Sequence, residues 1–91
     1  MRIFITFTGP LRDQGPGTLN VPEGTTLAAV CRQLAAHAAA DVRRHLLTAE
    51  GGIEPTLLVA VNGVGLALEA RARRILADGD ELLLMPPIAG G

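Results

Sequence analysis

Lysine is absent: all eight basic residues among the 91 are arginines, so no side-chain amine can accept a modifier and the chain cannot build lysine-linked polymers of itself. Tryptophan and tyrosine are absent too, and the two aromatic residues are Phe4 and Phe7. With 48% hydrophobic residues the core must therefore be aliphatic. The single cysteine, Cys31, excludes an internal disulfide and a cysteine metal cluster. A net charge of -1 gives no electrostatic reason to expect nucleic acid or an acidic membrane surface. No apolar run approaches the roughly twenty residues of a membrane span. Residues 1–8 are too short an apolar stretch for a signal peptide. A soluble cytoplasmic protein is the expectation. No Gly-x-x-x-x-Gly-Lys-Ser/Thr phosphate loop occurs, nor does a Ser/His/Asp or paired-carboxylate arrangement stand out.

What is present reads as one α+β domain. Residues 2–8 are β-branched and aromatic, with Ile3, Ile5 and Phe7 on one face and Phe4 on the other. A Gly/Pro loop follows, then a short strand over 18–22 closed by Pro22. Thr25 is the expected N-cap of the main helix. Leu27, Val30, Cys31, Leu34, Ala35 and Ala38 recur at helical spacing on one stripe. Asp41 is the expected cap of a short second helix over 42–47, before a Gly- and Pro-containing loop over 48–56. Residues 57–61 and 64–68 flank Asn62-Gly63, a strong two-residue hairpin signal. Residues 69–77 read as a helical turn or polar connection, Asp78-Gly79-Asp80 turns the chain, and 81–85 is the last strand.

One main helix on one face of a mixed sheet of four to five strands is the economical architecture. A helix covers one face only, yet strands 57–61 and 81–85 are apolar on both. Leu83 and Met85 therefore call for a partner. The expected division is a domain over 1–85 and a flexible tail over 86–91. In that tail Pro86 and Pro87 stiffen the exit, Ile88 and Ala89 follow, and Gly90 and Gly91 thread a channel too narrow for side chains. Extended, the tail spans roughly 20 Å. A terminal carboxylate on Gly91 is ionised and a poor electrophile, so a partner enzyme must activate it.

Asp78-Gly79-Asp80-Glu81, the apolar strand after it, and Pro86-Pro87-Ile88-Ala89-Gly90-Gly91 together resemble the C-terminus of the MoaD/ThiS sulfur carriers, ubiquitin-like β-grasp proteins. Asn62-Gly63, Pro22-Glu23-Gly24-Thr25, and Phe7 with Leu11-Arg12-Asp13 fit the same pattern. Gly9-Pro10 looks inserted, and residues 39–56 look longer than in minimal members. The Pro-Pro step resembles the molybdopterin synthase small subunits more than the thiazole-pathway carriers.

The resemblance implies a carrier, not an enzyme in itself. A ubiquitin-activating-type enzyme, using ATP and magnesium, would adenylate Gly91. A sulfur donor such as a cysteine desulfurase or rhodanese would convert it to a thiocarboxylate. The large subunit of molybdopterin synthase would then receive the sulfur for molybdenum cofactor biosynthesis. No cofactor would be bound by the chain itself. Gly90, Ala89, Ile88, Pro87 and Pro86 would line the partners' channels, with Met85, Leu83, Phe4 and Phe7 at the docking surface. The family pattern shows an aromatic to the partner at the position of Phe7, whereas alternation buries Phe7 and exposes Phe4. Carriers for thiazole, cysteine or tRNA thiolation, a protein modifier, and an interaction module without chemistry are the competing readings. Cys31 reads as an inert core thiol. His37 and His45 read as solvated or capping residues. Arg71, Arg73 and Arg74 read as a solvated face or as a dock for an acidic patch.

Overall fold

Strict alternation in Arg-Ile-Phe-Ile-Thr-Phe makes the first strand, β1 (Arg2–Phe7), two-faced: Ile3, Ile5 and Phe7 are buried, while Arg2, Phe4 and Thr6 face solvent. The computed structural model describes residues 1–13 and 15–87. A 3-10 turn, Gly9–Leu11, leads into β2 (Thr18–Asn20), which pairs antiparallel with β1. Three helices follow in two stretches of the chain: α1 (Leu27–Ala36), α2 (Ala40–Leu46) and, after the β3–β4 hairpin, α3 (Leu68–Arg73). The hairpin strands are β3 (Leu58–Val61) and β4 (Val64–Gly65), and β5 (Glu81–Met85) comes last. The sheet order is β2-β1-β5-β3-β4, with β5 parallel to β1 and antiparallel to β3. This is the ubiquitin-like β-grasp arrangement.

The core lies between the inner sheet face and the helices. Ile3, Ile5, Phe7, Val59, Val61, Leu82 and Leu84 meet Leu27, Val30, Cys31 and Leu34 of α1 in one cluster, joined by Val42 and Leu46 of α2. Burying each such leucine or isoleucine contributes about 1.5–3 kcal/mol. Aliphatic packing makes up nearly all of it, as the scarcity of aromatics requires.

The N-cap of α1 is Thr26, one residue later than the sequence suggests; its hydroxyl accepts from Ala29 N at 3.1 Å. Thr25 is engaged elsewhere. Its hydroxyl donates to the Pro22 carbonyl, and its own carbonyl accepts from Leu76 N. Leu27 N donates to the Arg74 carbonyl, so the start of α1 is tied to the segment after α3.

Asp41 caps nothing: α2 begins earlier, with Ala39 as N-cap and no side-chain cap. Asp41 instead sits in the first turn, where a carboxylate favours the positive end of the helix dipole. Arg43 of α2 reaches back to the end of α1, its Nε donating to the Ala35 carbonyl and a terminal nitrogen to that of Ala38. The Ala35 carbonyl also accepts from Ala38 N, so Arg43 shares that acceptor and supplies a donor to the Ala38 carbonyl just past α1.

The hairpin turn is the one the Asn-Gly pair demands, with φ of 52° at Asn62 and 82° at Gly63. The side chain of Asn62 does more than turn. Its Nδ2 donates to Asp80 Oδ1 at 2.9 Å, and its Oδ1 accepts from Glu81 N at 2.8 Å. Asp80 is buried and its other carboxylate oxygen accepts from Ala77 N. Gly79 N donates to the Arg2 carbonyl and Asp78 Oδ1 accepts from Arg2 N. The Asp-Gly-Asp turn therefore locks the start of β5 to β1 on one side and to the hairpin on the other. The second hairpin strand is shorter than the expected 64–68, because the chain leaves the sheet after Leu66 N bonds to the Val59 carbonyl and enters α3.

Candidate docking face and tail exit

Register places the outward residues of β1, β5 and β3 side by side. Leu83 lies between Thr6 and Ala60, Met85 lies beside Leu58, and Phe4 lies beside Glu81. Leu58 is 58% exposed, Phe4 40% and Met85 37%, with Leu83 and Ala60 half-buried. Large apolar side chains so arranged form one open strip across the middle of the sheet. Leu58 belongs to it, in addition to the Phe4, Leu83 and Met85 expected from the sequence. The signal was present in the Leu-Leu-Val-Ala-Val run, whose alternation puts Leu58 and Ala60 on the face of Leu83.

The two phenylalanines are resolved by burial. Phe4 is on the open face, and Phe7, only 5% exposed, is a core residue packed with Leu11 and Leu84 in the main cluster. Phe7 is thus withdrawn from the docking surface, because its strand is anchored by Ile3 and Ile5 on the same side.

The tail exit shifts by one residue. Pro86 is fully buried, and Pro87 is exposed. Thr8 N donates to the Leu84 carbonyl at 3.1 Å, and the Pro86 carbonyl lies over Gly9. The packed body therefore runs through Pro86, one residue past the expected boundary at 85. Ile88, Ala89, Gly90 and Gly91 lie outside the described residues.

Other singled-out side chains find plain places. Cys31 is fully buried; desolvation pushes its thiol up from about 9 to about 11, with Arg71 and Arg32 partly offsetting the rise. The thiolate is the reactive form, so this is a poor nucleophile at neutral pH. Of the arginine cluster, Arg73 is exposed, Arg74 is half-buried, and Arg71 is buried, which corrects the reading of Arg71 as part of a solvated face. It lies in the last turn of α3 and its Nε donates to the Leu66 carbonyl at 3.3 Å. No helix among the described residues is long and apolar enough to cross a membrane.

Comparison with known proteins agrees with this geometry. Ubiquitin-related modifier 1 of Ajellomyces capsulatus is 28% identical over 86 residues, covering 94% of this chain and 70% of the relative. Among solved structures, SAMP1 from Haloferax volcanii superposes over the whole of both chains, with a TM-score of 0.77 and 24% identity. Urm1 from Trypanosoma brucei gives 0.74 at 24% identity, over 99% of this chain and 95% of that one. These two structural likenesses establish the fold. The model of the ThiS family matches residues 5–91, from within β1 to the final glycine, and the chain belongs to that family of ubiquitin-like sulfur carriers and modifiers.

Proposed function

We propose that this chain carries sulfur on the α-carboxylate of Gly91. The observation that supports the reading best is the match of the family across residues 5–91, glycine pair included, combined with an open apolar strip at the end of β5. The body docks through Phe4, Leu58, Leu83 and Met85. The segment from Pro87 to Gly91, at most roughly 18 Å when extended, is delivered into the partner's active site. There a carboxylate oxygen attacks the α-phosphorus of ATP and pyrophosphate leaves. A persulfide on a desulfurase- or rhodanese-type donor then attacks the acyl carbon and AMP leaves; a thiol of the donor or the activating partner cleaves the resulting acyl disulfide, which releases the thiocarboxylate on Gly91 and leaves a disulfide behind. ATP and magnesium belong to the ubiquitin-activating-type partner. Small glycines at 90 and 91 suit the passage because nothing projects from their Cα atoms.

For the destination of the sulfur, the Pro86-Pro87 step supports the small subunit of molybdopterin synthase, acting with its large subunit. A second reading has its own support, since the curated relative at 28% identity is a ubiquitin-related modifier. Intact mass after incubation with ATP, an adenylating enzyme and a sulfur source tests the carrier: one oxygen replaced by sulfur is expected. Deleting Gly91 is expected to abolish that product while the chain melts as before. An unchanged mass for the full chain would refute the reading. Co-purification with a molybdopterin synthase large subunit selects the first destination, and isopeptide-linked adducts on other proteins select the second.

A further inference from the structure

Arg71 is a buried cation with no carboxylate paired to it among the described residues. It is only 6% exposed, and its hydrogen bond among the described residues is the one from Nε to the Leu66 carbonyl. Its Nη1 is buried with no partner. The ion pair found among the described residues joins Arg12 and Asp13 on the surface, so no carboxylate there answers Arg71. The neighbouring Cys31 does not answer it either, because a thiol held at about 11 is neutral at physiological pH. A guanidinium is permanently cationic in proteins, and a charge withdrawn from water without a partner is costly. Such an arrangement leaves room for an acceptor supplied either by solvent or by an acidic group of a partner.

The surroundings decide between these. Arg71 borders a groove of about 400 Å³ whose other walls include Leu58, Ala60, Leu66, Leu83 and Met85. Three of those, Leu58, Leu83 and Met85, are members of the open strip. The unpaired cation thus stands at the margin of the docking face, in a wall that is otherwise apolar. A groove of that composition fits a side chain that is apolar along its stem and anionic at its tip. A guanidinium presents paired N–H groups matched to a carboxylate.

We infer that this groove receives an aspartate or glutamate side chain of the adenylating partner, whose carboxylate closes on the Arg71 guanidinium while the flanking apolar residues cover Leu58 and Met85. This rests on the reading that such a partner charges Gly91. Charge pairing in a dry groove fixes register and excludes partners lacking the acid more than it adds raw affinity. Register matters here because the tail must enter the partner's channel at one depth.

The test is ATP–pyrophosphate exchange catalysed by the ubiquitin-activating-type enzyme of the same organism, with the full chain as substrate. Arg71→Met keeps the apolar stem and removes the charge. It is expected to raise KM at least tenfold and leave kcat within twofold. Its melting temperature should equal or exceed that of the parent, since an unpaired buried charge is gone. Arg71→Lys keeps a charge but not the fork, and is expected to raise KM severalfold. A KM within twofold of the parent for Arg71→Met would overturn the inference. Should that variant fail to fold, an unchanged KM for Arg71→Lys overturns it equally. Absence of exchange with the unaltered chain marks a different failure, that of the Gly91 reading, and the inference falls with it.

Discussion

Along β5, Leu82 and Leu84 are almost wholly buried against the helices, while Leu83 is half-buried and Met85 open to solvent on the other side of the same strand. β3 repeats the contrast, with Val59 and Val61 inside and Leu58 and Ala60 outside. Period two divides each strand into residues that hold the fold and residues left over from it. Hydrophobicity alone does not distinguish the two sets, because leucine stands in both. What separates them is that the helices reach one face only, so the apolar character of the other needs a reason outside the chain. The comparison therefore makes a sharp statement: inner-face changes should be read in stability and outer-face changes in partner engagement.

The largest effect should come from the inner face. Leu84→Ala removes a fully buried side chain at the centre of the sheet, between β1 and β3. It is expected to destabilise the fold by about 2–5 kcal/mol, measured by urea denaturation. A loss below about 1 kcal/mol would mean that the sheet and helices are packed loosely enough to collapse onto the gap.

Cys31 probes the same buried layer without cutting it. Its folded-state thiol is raised by burial, so the native protein holds the proton more tightly than the unfolded chain does. The stability linked to this proton is fully present below about pH 9 and is lost as pH rises towards about 11. The slope is at most about 1.4 kcal/mol per pH unit. Denaturation midpoints measured across that window should fall for the parent and fall less for Cys31→Ala, whatever cavity the substitution leaves. Parallel pH profiles for the two proteins would show that the thiol is better solvated than its position in α1 implies.

Much of this division was legible before any coordinates. Alternation in β1 gave the inner set Ile3, Ile5 and Phe7, the Asn62-Gly63 pair gave the hairpin, and helical spacing gave the buried stripe of α1. Each of those signals is local, carried by residues two to four apart. What escaped was tertiary. Thr25 and Thr26 are equivalent as caps in sequence, and the cap is Thr26 because the Thr25 hydroxyl is engaged by the Pro22 carbonyl. Arg43 and Arg71 look like any surface arginine. The first is drawn to the Ala35 and Ala38 carbonyls at the end of α1 and the second to the Leu66 carbonyl, neither of which leaves a mark on the residues nearby. Phe7 was ambiguous because family pattern and alternation disagreed, and burial sided with alternation. The open strip is half visible in the sequence: Phe4, Leu83 and Met85 follow from alternation, while Leu58 joins them through the register of β3 on β5, which places it beside Met85.

Leu58→Glu tests the outer face where the effect on folding should be smallest. The residue is 58% exposed and the new carboxylate would sit in water in the free protein, so stability should stay within about 0.5 kcal/mol of the parent. Engagement should not be spared. Against a partner surface shaped for leucine and methionine, a glutamate at this position is desolvated, and it competes with the proposed partner acid for Arg71, which lines the same groove. KM for adenylation should rise at least tenfold with kcat little changed, the pattern of lost uniform binding. If instead stability falls by several kcal/mol and KM of the still-folded chain holds, Leu58 belongs with Leu84 after all. The outer strip would then be part of what keeps the sheet together, and the distinction between the two faces would fail at the strand where it is drawn most clearly.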